Sequence, residues 1–245
     1  MTPVLRKVPN SSGQQRLIFF HHAGGNGAQY FPSLKPLISK YEIYCMDLPG
    51  RFFRSNEDAF TNMQDLTKAL AAQILQLDTK PTFLLGHSFG ALVAYTLAWE
   101  LVNNPAAQLK ALGLSALKAP IVDRSQGYAT MATLSDEALV LEIEKFEALP
   151  EVVKREPTIL KFTLKALRED FTIMASFKNT HSHEKLAVPS LILGGDSDPQ
   201  VTEQDLEKWS TLVDTRNKPL MFTGHHFYLF SHFEKAVSNL ATLEN

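Results

Sequence analysis

Short apolar runs alternate along this chain with segments of helical period. The apolar, β-branched or aromatic runs fall at residues 16–22, 41–48, 82–87, 109–115, 190–194 and 219–223 and predict strands. Segments 62–77, 88–102, 203–212 and 228–243 carry helical spacing and predict helices between and after them. Strands that alternate with helices argue a mostly parallel sheet with helices on both faces. Each strand–helix–strand crossover is then right-handed.

One region breaks this rhythm. Residues 119–177 contain no strand-like run. Ser135-Asp136-Glu137 instead opens a helical run at 138–146, and Glu156-Pro157 precedes another at 158–167. The insertion falls between the strands near Leu109 and Ser190, whose C-terminal ends lie where open α/β sheets bind ligands. It therefore reads as a lid over about 119–177, able to exclude water and shape a pocket. The expected architecture is a single α/β domain over 1–245: a central, mostly parallel sheet, flanking helices and this helical lid.

Bulk properties narrow the classes. A length of 245 residues suits one domain of this kind. A net charge of -2 gives no reason to expect nucleic acid or a membrane surface as partner. The single cysteine, Cys45, excludes an internal disulfide and a thiolate metal cluster, and its strand-like setting predicts a buried structural thiol. No apolar stretch is long enough to span a membrane, and Met1–Lys7 lacks a signal-peptide core. A cytoplasmic, monomeric protein is expected.

The candidate chemistry begins at Gly86-His87-Ser88-Phe89-Gly90, between a predicted strand and a predicted helix. G-x-S-x-G in that setting is a nucleophile elbow, the signature of an α/β-hydrolase. The strand turns sharply into the helix and Ser88 projects over the sheet edge. The flanking glycines avoid clashes in the turn.

A serine hydroxyl needs a base, and the base needs an orienting carboxylate. In this fold the chain order is Ser, acid, His. The acid lies in Gly194-Gly195-Asp196-Ser197-Asp198-Pro199, after a buried strand. Asp198 is the better candidate, because Pro199 holds it in an extended or turn conformation. Asp196 suits a turn role, accepting backbone amides. The base is His225 or His226, adjacent residues of which one can serve. His232 falls within a helical run and reads as a surface or packing residue.

Oxyanion stabilisation needs two amides. That of Phe89, the residue after the nucleophile, is one. The other is expected from His21-His22-Ala23-Gly24-Gly25-Asn26, where the Gly-Gly bend aims the Ala23 amide inward. The histidines at 21–22, 181, 183 and 225–226 suggest a metal by number alone. No H-E-x-x-H occurs and no carboxylates stand at ligand spacing, so neither a metal nor any other cofactor is expected. His181 and His183 read as solvated loop residues.

Taken together, these segments resemble the type II thioesterases of nonribosomal peptide and polyketide biosynthesis. Phe20-His21-His22-Ala23-Gly24-Gly25 matches that family's F-P-H-A-G-G. Leu48-Pro49-Gly50-Arg51-Phe52-Phe53-Arg54 matches L-P-G-R-x-x-R, with Glu57 close behind. Gly86 to Ala91 match the elbow, and Leu167-Arg168-Glu169-Asp170-Phe171 is similar to L-R-A-D-F. Gly224-His225-His226-Phe227-Tyr228-Leu229 is similar to G-G-H-F-F-L, which places the base at His226. Two departures are His21 for proline and Phe52 for glycine.

The resemblance implies a stand-alone hydrolase that acts on acyl groups held as thioesters on the phosphopantetheine arm of an acyl or peptidyl carrier protein, clearing stalled or misprimed intermediates. Ser88, Asp198 and His226 would be its triad, with the Ala23 and Phe89 amides as oxyanion hole. An esterase or lipase for small oxygen esters or acyl-CoA, or an acyltransferase, could use the same residues. Arg51 and Arg54 either brace a loop or meet an acidic carrier and the phosphate of its arm.

Overall fold

The strand-like runs assemble into one mixed sheet in the computed structural model, which describes residues 3–145, 149 and 151–244, with the backbone alone at Phe52. The strands are β1 (Leu5–Lys7), β2 (Gln15–Phe20), β3 (Tyr41–Met46), β4 (Thr82–His87), β5 (Leu109–Ser115), β6 (Leu186–Gly195), β7 (Val213–Thr215) and β8 (Leu220–Phe222). Their order is β1-β3-β2-β4-β5-β6-β7, and β8 pairs with the far end of β6. Only β1, on β3, pairs antiparallel among the described strands. The six predicted strands are all present. β1 and β7 were not predicted, and β6 starts earlier than 190. Its extra residues pass through Pro189, where the register with β7 shifts, a tolerated place for proline in a strand.

The α-helices are α1 (Phe31–Leu34), α2 (Met63–Ile74), α3 (Phe89–Leu101), α4 (Ser125–Thr133), α5 (Asp136–Glu144), α6 (Glu151–Arg155), α7 (Pro157–Ser176), α8 (Glu203–Glu207) and α9 (Leu229–Ala241). Their starts follow local chemistry. The Asn62 side chain caps α2 by accepting from the Asp65 amide, and Ser135 caps α5 through the Ala138 amide. Pro157 opens α7, where its missing N–H costs nothing. The predicted helix at 203–212 is shorter, ending in a 3₁₀ turn at Lys208–Thr211.

The sheet is covered on both sides, and the side-chain alternation of its central strands sorts the core. Ile18, Phe20, Leu84 and Leu112 face α2, α3 and the insertion. Leu17, Phe19, Phe83 and Leu85 face the opposite side, where α9 packs with Tyr30 and Leu34. Cys45 belongs to this second cluster, and burial pushes its thiol up to about 12, so it is a packing residue.

Helices α4–α7 form the insertion between β5 and β6, and no strand occurs among its described residues. Residues 146–148 and 150, which include the end of the predicted run 138–146, lie outside the described residues. So does the Phe52 side chain, one of the two departures noted above. Because β2, β4, β5, β6 and β8 run parallel, the loops after them emerge at one edge. No helix of the described residues is long and apolar enough to cross a membrane.

Candidate active site

Ser88 stands between the last residue of β4 and the first of α3 with φ 54° and ψ -118°. That conformation is strained for any residue with a side chain, and such strain concentrates at functional sites. It persists because the turn is over-determined. The Ser88 amide donates to the Ser115 carbonyl at 2.8 Å, and the first seven residues of α3, Phe89–Tyr95, are all buried. Gly86 and Gly90 are required by contact. A Cβ at Gly86 would sit 2.1 Å from the Gly90 carbonyl oxygen, and one at Gly90 would sit 2.0 Å from that of Phe20.

The loops after β6 and β8 bring two further predicted residues to this serine. His226 Nε2 lies 3.1 Å from Ser88 Oγ, and His226 Nδ1 lies 2.7 Å from Asp198 Oδ2. A carboxylate only accepts, so Nδ1 carries the proton and Nε2 is left to receive the serine's. Both side chains are nearly out of water, Asp198 at 1% and His226 at 5% exposure. The other oxygen of Asp198 accepts from the amides of Gln200 and Val201, which fixes the carboxylate's direction.

The competing residues are placed elsewhere. Asp196 is exposed and ties the β6 loop to the β8 loop, accepting from the Gly224 amide at 3.0 Å and from Ser197 Oγ. These bonds, the Gly224 amide first, hold its carboxyl below the usual range. His225 is exposed and does not line the cavity that Ser88 and His226 share. His232 stacks on Phe222 and sits at a break in the α9 backbone. His183 is exposed, whereas His181 stacks on Trp99 with centroids 4.0 Å apart, not simply solvated as expected. The described residues contain no group of three His, Cys, Asp or Glu able to hold a metal ion.

Three consecutive amides of the loop after β2 are bonded. Gly24 donates to Asp170 Oδ2 at 2.7 Å, Gly25 to the His22 carbonyl at 3.1 Å, and Asn26 to Gln29 Oε1 at 3.1 Å. Ala23 has no such partner among the described residues, and Ala23 lines the same cavity as Ser88. The Phe89 amide, first in α3, has no partner within its helix.

His21, where the resembled family has proline, is wholly buried, and its Nδ1–H donates to the His22 carbonyl at 2.8 Å. Burial, and then the charge of Arg51, push it down to about 3, so it is neutral. His22 and His87 are likewise held well below the ordinary histidine range, first by burial and then by neighbouring imidazoles. His22 bonds Tyr30 Oη at 2.7 Å, while His87 bonds Ser115 Oγ, which bonds Tyr228 Oη at 2.6 Å. This last chain anchors the His226 loop to β5 and was not legible in the sequence.

The cavity beside Ser88 has a volume of about 310 Å³. The insertion supplies one apolar wall through Tyr128, Ile143, Leu167, Phe171 and Met174. Arg51 and Arg54 do not face solvent. Arg51 pairs with Asp170 through 2.6 and 2.8 Å bonds. Burial opposes its charge, but that carboxylate outweighs the penalty and the pKa is raised. Arg54 bonds Glu57, the Pro3 carbonyl and the Asp47 carbonyl. Of the two roles open to these arginines, they take the bracing one.

The sheet order, the serine on its strand–helix turn and the helical insertion define an α/β-hydrolase. Residues 15–243 match the family model described as the Thioesterase domain, and the chain belongs to that family. A probable cadicidin biosynthesis thioesterase of Streptomyces griseus is 28% identical over 236 residues, 96% of this chain and 64% of that protein, so this chain spans just under two thirds of its length. The gramicidin S biosynthesis protein GrsT of Aneurinibacillus migulanus is 29% identical, over 90% of this chain and 85% of its own. Among solved structures, the type II thioesterase BorB of the borrelidin biosynthetic cluster superposes with a TM-score of 0.81 at 29% identity. The match covers 98% of this chain and 97% of BorB.

Proposed function

We propose that this protein is a type II thioesterase that hydrolyses acyl groups from the phosphopantetheine arm of carrier proteins in nonribosomal peptide or polyketide assembly, as a monomer in the cytoplasm. The observation that carries the reading is the continuous line Ser88–His226–Asp198 at the mouth of an apolar cavity. Relatives named for cadicidin, gramicidin S and borrelidin biosynthesis support the substrate class.

In this reading Ser88 Oγ attacks the thioester carbonyl while His226 Nε2 takes its proton. Asp198 holds the imidazole in the needed tautomer and stabilises its charged form. The carbonyl oxygen becomes anionic and is received by the amides of Ala23 and Phe89. The C–S bond breaks, His226 protonates the leaving thiolate, and the acyl group stays on Ser88. A water then enters, gives its proton to His226 and attacks the acyl carbon. The acid leaves and Ser88 regains its proton. Helices α4–α7 act as the lid of this site, screening the intermediate and contacting the acyl chain through Leu167, Phe171 and Met174.

Rates on carrier-bound acyl thioesters and on oxygen esters of the same acids test the substrate class. A clear preference for the carrier thioesters is expected. The reverse preference would make the chain an esterase on the same fold.

A further inference from the structure

Two peptide planes flank the α-carbon of Ala23. The first holds the His22 carbonyl and the Ala23 N–H, which point in opposite directions because the peptide is planar and trans. Its carbonyl is fixed from two sides, by the Gly25 amide and by His21 Nδ1. The Ala23 N–H is thereby turned away from the bend. The second plane carries the Gly24 N–H, and its anchor comes from far along the chain: Asp170, in α7, accepts that N–H at 2.7 Å. The same helix touches this plane's neighbour again. Gly24 has φ +73°, and a Cβ there would lie 2.7 Å from Leu167 Cγ, one turn before Asp170. Asp170 is wholly buried and is itself held by both terminal nitrogens of Arg51. Lys165, on the same helix, donates to the Gly50 carbonyl just before Arg51.

We propose that Asp170 is the positioning residue of the oxyanion loop: by fixing the Gly24 amide it holds the Ala23 amide toward Ser88. It makes the insertion part of the catalytic geometry as well as a wall of the pocket. Arg51 serves the same end by aiming the Asp170 carboxylate, a two-point grip that a single charge would not give. The inference rests on the reading of Ser88 and Ala23 given under the proposed function.

The test compares two double variants of the full chain, Arg51→Gln/Asp170→Asn and Arg51→Leu/Asp170→Leu. Both abolish the ion pair, and only the first leaves an oxygen for the Gly24 amide. Folding is followed by circular dichroism, and intact active sites are counted by fluorophosphonate labelling. An acyl-pantetheine thioester then gives kcat and KM, and an alkyl boronic acid reports binding of a tetrahedral adduct. The leucine pair should show kcat at least about tenfold below the Gln/Asn pair, with boronate binding weakened in parallel and KM within about threefold.

Equal kcat in the two folded pairs, or a loss confined to KM, would overturn the proposal. If the leucine pair does not fold, glycolic acid incorporated at position 24 replaces that N–H with an ester oxygen and leaves every side chain in place. The same fall in kcat is then expected, and an unchanged kcat overturns the proposal. Thioester turnover by the unsubstituted protein, lost in Ser88→Ala, checks the underlying reading separately.

Discussion

Asp198 Oδ2 lies 2.7 Å from His226 Nδ1, and the two residues belong to loops that follow different strands, β6 and β8. Asp196, only two residues from Asp198, instead bonds the Gly224 amide. Replacing Asp198 by Asn should lower kcat by about 10³–10⁴-fold, because an amide opposite Nδ1 favours the wrong imidazole tautomer. Asp196→Asn should keep kcat within a few-fold and lower the melting temperature. Steady-state kinetics and thermal unfolding on both variants check this, and equal kcat losses in two folded proteins would reverse the assignment.

Ser88 carries a positive φ that a glycine adopts without strain. Ser88→Gly is therefore expected to lose activity and yet gain stability, by about 1 kcal/mol. Urea unfolding of both proteins measures the difference. A less stable glycine variant would mean that the elbow is not strained.

Gly90 faces the Phe20 carbonyl so closely that a methyl group cannot enter without moving α3 or β2. Gly90→Ala should destabilise the fold by roughly 3 kcal/mol or more, the range of severe packing clashes. An alanine variant that melts with the original protein would contradict the contact.

His21 and His87 are buried, His22 is half-buried in the cavity wall, and all three have folded pKa values below the ordinary 6.5. Between those values and 6.5 the unfolded chain binds more protons than the folded one. Their contribution is therefore fully present above pH 6.5 and is lost as pH falls toward the folded values. Each can contribute a slope of up to about 1.4 kcal/mol per pH unit. Unfolding free energies at pH 7.5, 6 and 5 should fall steadily, and His21→Asn should flatten the profile. A flat profile in the original protein would mean that these rings can charge without unfolding.

Local signals carried much of this architecture. The elbow, the Gly-Gly bend and the acid and base loops each follow a strand with at least three consecutive apolar residues. β1 and β7 escape because Leu5–Lys7 and Val213–Thr215 hold one apolar residue each, whereas the equally short β8 is apolar throughout. Asp198 was separable from Asp196 only by its proline neighbour. The grip of Asp170 on Gly24 spans 146 residues, and no local pattern encodes it. The motif around Asp170 was visible in the sequence, but its partner was not. The stacking of His181 on Trp99 is equally non-local, because it joins the segment after α7 to α3.

Thioester hydrolysis through Ser88 is read most directly from the intact mass of an acyl-loaded carrier protein incubated with this protein or with Ser88→Ala. The unsubstituted protein is expected to remove the acyl mass and leave the phosphopantetheine arm in place, and the Ser88→Ala variant to leave the carrier acylated. Deacylation at an equal rate by a folded Ser88→Ala variant would contradict hydrolysis through Ser88.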